Sequence, residues 1–192
     1  MSAESALRWP VGQFSDAPFV ADDSRVFTHG MAAQFAMAIA AGVQPGARVL
    51  IVARPTVLCI VSVLACWARG AMAIVIDGRE PIEARDLVAQ EFSTTTITMG
   101  NPPLARDPLV LSLPLENLAV ALRTSGSTGT PKFAVHRLAS LIANARAANA
   151  RTPFGVGDRW LLSLAPHHIG GLAIVVRAMV GGGAHSNWSR VL

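Results

Sequence analysis

The stretch RTSGSTGTPK, Arg123 to Lys132, holds two glycines, five hydroxyl side chains, a proline and a lysine in ten positions. That composition makes a loop. Glycines let backbone N–H groups turn toward one point, hydroxyls donate further hydrogen bonds and an ammonium supplies charge, which together make a phosphate cradle. Of the 16 basic residues Lys132 is the only lysine, so a chain that uses arginine everywhere else keeps one compact, flexible ammonium here. The Walker pattern ends in Gly-Lys-Ser/Thr, whereas Pro131 precedes Lys132 and Phe133 follows it, so this is a different cradle. The bland alternative is an ordinary Ser/Thr/Gly connection.

Three other groups of residues could do chemistry. His167 and His168 stand side by side at the start of an apolar segment, either as a polar helix cap or as working imidazoles. No Cys or carboxylate is spaced to complete a zinc site with them. Asp77 ends an apolar run and so sits where a strand delivers a ligand, although the loop chemistry does not require it. Cys59 and Cys66 are seven residues apart, about 10 Å along a helix, too far for a disulfide. They read as small core residues in a reducing compartment, against a metal or redox pair.

The elements that must position these groups alternate. THGMAAQFAMAIAAG predicts a helix capped by Thr28 and ended by Gly42, and VQPGARVLIVA a turn and a buried strand over Val49 to Ala53. Pro55 to Ala68 predicts a buried helix closed by Arg69-Gly70, followed by the strand AMAIVID. A polar helix from Glu80 to Gln90, a β-branched strand STTTITM and the linker NPPLARDP come next. LAVALR then leads as a strand into the glycine loop, KFAVH leaves it extended, and Leu138, Leu141, Ile142 and Ala145 mark one face of a helix. RWLLSLA is a further strand and Ile169 to Val180 a helix. Such alternation predicts a three-layer α/β fold, a mostly parallel sheet flanked by helices, with an irregular segment at 1–25.

Apolar residues make up 52% of the 192 and charged residues 15%, enough for one buried core. The Pro55 to Ala68 run offers 14 residues against the roughly 20 of a bilayer span, and no stretch has signal-peptide character, so a cytoplasmic protein without a membrane span is expected. Charge is uneven: up to Glu116 there are 8 arginines and 11 acids, while from Asn117 onward 8 cations face Asp158 alone. The cations are scattered singly, which fits a phosphorylated small molecule at least as well as nucleic acid; lack of an acidic partner segment is a third explanation.

Thr124, Ser125, Gly126, Ser127, Thr128, Gly129, Pro131 and Lys132 match in order the T-S-G-S-T-G-x-P-K-G loop of adenylate-forming enzymes, the AMP-binding superfamily of acyl-CoA ligases, luciferases and peptide-synthetase adenylation domains. The chain resembles that superfamily in two further places. GVQPGARVLIVA is similar to its early G-V-x-P-G-D-x-V strand entry, with Ala47 in place of the common acid. LLSLAPHHIGGLAIVVRAMVGGGA is similar to its L-x-L-P-x-x-H-x-x-G-L segment, with His168 in the usual His position and His167 in the preceding aromatic one. The His pair with Gly-Gly-Leu looks most like the o-succinylbenzoate:CoA ligase branch. Phe133 departs from the usual glycine and is expected to restrict the backbone, so that glycine there would improve ATP binding.

The resemblance implies the first subdomain of an adenylate-forming large domain over 26–184, with an atypical tail at 185–192. It implies activation of a carboxylic acid by ATP with Mg²⁺, transfer to CoA, catalytic roles for Lys132 and His168, and ATP contacts from Thr124 to Gly129 and Lys132. No metal ligand is assigned in this chain. The family's later Y-G-x-T-E segment, ribose-binding aspartate, hinge and lid lysine find no match, and HSNWSRVL breaks the apolar pattern. The expectation is therefore a truncated or frame-disrupted product, with a divergent short protein as the alternative, inactive alone, completed by a second chain or by the missing C-terminal part, and exposing an apolar face or an unpaired strand edge near Ala184. A non-catalytic nucleotide-binding remnant is the alternative, a basic RNA-binding protein a weaker one.

Overall fold

The computed structural model describes residues 5–10, 12–21, 26–54, 56–95, 110–124 and 132–186. Its centre is a β-strand β4 (Arg48–Ala53), a helix α2 (Val57–Ala68) and a strand β5 (Met72–Asp77). β4 and β5 pair in parallel from Arg48 beside Met72 to Ala53 beside Asp77. On the other side of β5 lies β7 (Leu118–Thr124), also parallel, and beyond it β8 (Lys132–Arg137), antiparallel to β7. Met72 to Ile76 are all buried because β5 is covered on both faces, which is why it reads as an unbroken apolar run.

One face of this sheet takes α2 and, packed on α2, α1 (His29–Ala40). Thr28 caps α1 as its sequence predicts, its hydroxyl accepting from the Met31 N–H at 3.1 Å. α2 is buried almost all round, and Trp67 Nε1 donates to the Ala119 carbonyl of β7 at 2.9 Å. Cys59 and Cys66 are both free and buried in α2, and burial pushes each thiol up to about 12. They are inert packing residues. The opposite face takes α3 (Ile82–Phe92) through Val88 and Phe92, over Met72, Ile74, Ile76 and Ala121. Helices thus flank a mostly parallel sheet.

Phe133 corrects an expectation. It lies in regular β8 opposite Arg123, and its ring meets Phe92 edge-on at 4.9 Å. Ser93 is the one non-glycine residue at positive φ among those described, so Phe133 restricts nothing the backbone needs. Phe133→Gly should remove this contact and weaken the strand, lowering stability by about 2–4 kcal/mol in urea denaturation rather than improving ATP binding. An unchanged midpoint would contradict the packing role.

The rest of the chain builds a second body against α1. α4 (Leu138–Arg151) buries Leu138, Leu141, Ile142 and Ala145, the four residues its period marks, and packs on α5 (Ile169–Gly181). A second sheet runs β3 (Val26–Thr28), β2 (Pro18–Ala21), β10 (Ala184–Ser186), β9 (Arg159–Leu161). β1 (Ala6–Trp9) pairs antiparallel with β6 (Leu111–Pro114). Two strands therefore stand within 1–25, read above as irregular. Ala184 opens β10, pairing with Arg159 of β9, and from His185 on β10 also pairs with β2, so the expected unpaired edge near Ala184 is not found there. His185 and Ser186 belong to that strand and not to a tail. The STTTITM strand is described only as far as Thr95, which bridges Val49 in parallel; 96–99, like the NPPLARDP linker, lies outside the described residues. No helix among the described residues is long and apolar enough to cross a membrane.

Candidate functional site

The parallel strands β4, β5 and β7 all end on one edge of their sheet. Register carries Val75 beside Leu122, so Asp77 and Thr124, each two residues further on, end their strands at the same level. The chain turns sharply after Asp77. Gly78 passes so close to the Ala53 carbonyl oxygen that a Cβ would overlap it. Arg85 of α3 pins this turn by donating to the carbonyls of Gly78 at 2.9 Å and Glu80 at 2.8 Å.

Asp77 accepts from the Arg79 backbone N–H at 2.9 Å and from its guanidinium at 2.7 Å. The Arg79 hydrogen bonds hold its carboxyl down at about 2. Glu80 pairs with Arg123 at 2.8 Å, tying the turn after β5 to the residue that precedes Thr124. Thr124 is the register partner of Lys132, and its hydroxyl donates to the Lys132 carbonyl at 3.1 Å. The glycine loop therefore closes a β-hairpin whose mouth opens on the sheet edge, with Thr124 and Lys132 as its two posts. Ser125, Gly126, Ser127, Thr128 and Gly129 lie outside the described residues.

Across this edge stands the segment between β9 and α5. The expected strand RWLLSLA stops at Leu161: the Leu162 N–H still donates to Ser186, after which the chain leaves the sheet. Ser163, Leu164, Ala165, His167 and His168 then face Ala53, Arg54, Asp77 and Arg79 across a cleft of about 500 Å³. His168 is the N-cap residue of α5, and its side chain makes no capping hydrogen bond. The polar-cap reading of the pair is thereby set aside. The His167 and His168 rings lie 4.1 Å apart, tilted by 50°. Burial, and then the His168 charge, push His167 below the usual imidazole range, while Asp77 opposes that at 3.6 Å.

α5 begins with two glycines because its first turn rests on the cleft wall. At Gly171 a Cβ would overlap the carbonyl oxygens of Leu164 and Ala165. Gly171→Ala should force the helix start away and cost about 2 kcal/mol or more, read as a lower urea midpoint with a changed His168 environment. A wild-type midpoint would show that the contact is soft.

Of the residues singled out by sequence, Thr124 and Lys132 stand at the hairpin mouth and His168 in the adjoining cleft. Asp77, noted by sequence but left without a role, joins His167. Arg54, Arg79 and the Glu80–Arg123 pair are additions; an acid at the end of an apolar strand was the sole sequence signal for this corner. Among the described residues no three His, Cys, Asp or Glu side chains converge on a metal position.

The sequence pattern of the AMP-binding enzymes matches residues 80–190. A probable 2-succinylbenzoate–CoA ligase of Mycobacterium tuberculosis is 43% identical over 67 residues, covering 35% of this chain and 17% of its own length. The 2-succinylbenzoate–CoA ligase of Escherichia coli is 46% identical over 59 residues, 31% of this chain and 13% of its own. The structure of Bacillus subtilis o-succinylbenzoate CoA synthetase with its acyl-adenylate intermediate superposes with a TM-score of 0.79 at 16% identity, over 97% of this chain and 57% of that one. The chain thus spans about half of the solved fold, and its matched stretches span under a fifth of the curated relatives.

Proposed function

The chain belongs to the AMP-binding enzyme family, and we propose that it serves the ATP-dependent activation of a carboxylic acid as an acyl-adenylate, followed by transfer to CoA. The observation that supports this most is the adjacency of the hairpin mouth, Thr124 and Lys132, to the His-lined cleft one strand away. In this reading region 26–184 carries the site, in a cytoplasmic enzyme. An acid seated in the cleft beside His168 is presented to phosphates held by Thr124 to Gly129 and Lys132.

A carboxylate oxygen attacks the α-phosphorus of ATP, and the bond to pyrophosphate breaks with its electron pair going to the leaving group. Charge builds on that pyrophosphate, where loop N–H groups, hydroxyls and the Lys132 ammonium stabilise it. Mg²⁺ would neutralise the phosphates, with ligands outside this chain's described residues. In the second step the CoA thiol attacks the acyl carbonyl and AMP departs. The relatives' names make 2-succinylbenzoate the first acid to test. With the chain completed by the C-terminal part of the Bacillus subtilis relative, pyrophosphate exchange into ATP should depend on the added acid. ATP binding without acid-dependent exchange would instead mark a non-catalytic nucleotide-binding module.

A further inference from the structure

We propose that Asp77 is a positioning residue: anchored by Arg79 at the sheet edge, it clasps His167, and His167 in turn holds the His168 ring against the cleft. This rests on the adenylation reading for its consequence, not for its geometry. Asp77 is the last residue of β5, and its two oxygens accept from the Arg79 backbone N–H and guanidinium. His167 Nε2 lies 3.6 Å from Asp77 Oδ2. Its Nδ1 is buried without a hydrogen-bond partner among the described residues, which leaves Asp77 as the ring's polar anchor. The His168 ring lies beside it, centroids 4.1 Å apart and planes tilted by 50°. The clasp also spans the cleft, joining the edge of the first sheet to the lead-in of α5, where Gly171 already seats the helix on Leu164 and Ala165.

The groups that act on His167 are His168, Asp77, Arg79 and Glu80, with Arg54 on the same cleft. Asp77 and Glu80 favour its charged form; His168 and Arg79 oppose it. Two substitutions must therefore move its titration in opposite directions. In NMR titration of the histidine side chains of the 192-residue protein, Asp77→Asn should move the His167 midpoint to lower pH. Arg79→Gln should move it to higher pH, by removing a like charge. The Arg79 side chain is 87% exposed, so that variant keeps the test alive if Asp77→Asn does not fold.

His168 resonances should respond to Asp77→Asn in wild type and not in a His167→Phe background, where the link is cut. In the completed enzyme Asp77→Asn should raise KM for the acid about 5- to 10-fold, with a smaller effect on kcat. A His167 midpoint indifferent to both substitutions would overturn the clasp, as would a His168 response that survives His167→Phe. Shifted titrations with unchanged acid KM would leave the clasp standing and overturn the adenylation reading of the cleft.

Discussion

Lys132→Ala should lower acid-dependent pyrophosphate exchange in the completed enzyme by about 10²-fold or more, the loss typical of one electrostatic donor to a developing charge. Lys132 is the chain's only lysine and stands exposed at the hairpin mouth opposite Thr124. The neighbouring Arg123 cannot replace it, because its guanidinium is committed to Glu80 at 2.8 Å. Lys132→Arg should recover part of the loss, since charge returns on a stiffer and bulkier head. Removing the ammonium should slow exchange more than it weakens ATP binding, because the charge it meets grows as pyrophosphate leaves. Exchange unaffected by Lys132→Ala would remove the loop from the reaction.

Acidification should destabilise the fold steeply below about pH 6.5. His29 on α1 and His185 on β10 are fully buried around Phe19, their rings 4.6 Å and 5.1 Å from it. His29 Nε2 lies 3.1 Å from the Gly183 carbonyl oxygen, while His29 Nδ1, both nitrogens of His185 and the nearby Trp9 Nε1 have no partner among the described residues. Burial pushes His29 down to about 4 and His185, with the His29 charge adding to it, down to about 3. Unfolded histidine titrates near 6.5, so between those values the unfolded chain binds more protons and stability falls with falling pH. The loss is about 1.4 kcal/mol per pH unit for each histidine, beginning below 6.5 and ending near 4 for His29 and near 3 for His185. Urea midpoints at pH 7.5 and 5 should show it. His185→Leu should flatten the slope by about half while keeping or raising stability at pH 7.5, since two unpaired buried nitrogens disappear. A midpoint constant between pH 7.5 and 5 would contradict the burial of the pair.

The parts of this fold that sequence reveals are those whose signal is local and long. α2 and β5 are unbroken apolar runs, α4 repeats every three to four residues, and Thr28 announces α1. β1, β2, β6 and β10 have four residues or fewer; β1 pairs only with β6, and β2 meets β10, both across more than 100 positions, so no window of sequence contains those pairings. The same contrast divides the site. The glycine-rich loop is one contiguous motif and is legible as such. Asp77 and His167 are 90 positions apart and meet only when the sheet edge and the lead-in of α5 come together. Phe133 misled because its type was weighed against a pattern, while its contact with Phe92 was not visible.

The central claim is that ATP phosphates are held at the β7–β8 hairpin mouth, beside the His-lined cleft. Titrating ATP into the ¹⁵N-labelled protein and following backbone amides tests it directly. The largest shifts should fall on Thr124 to Lys132, with smaller ones at Gly78 and Arg79, and Lys132→Ala should weaken them. On this account pyrophosphate should compete with ATP. Shifts centred elsewhere, for example between α4 and α5, with Thr124 and Lys132 unmoved, would contradict the account.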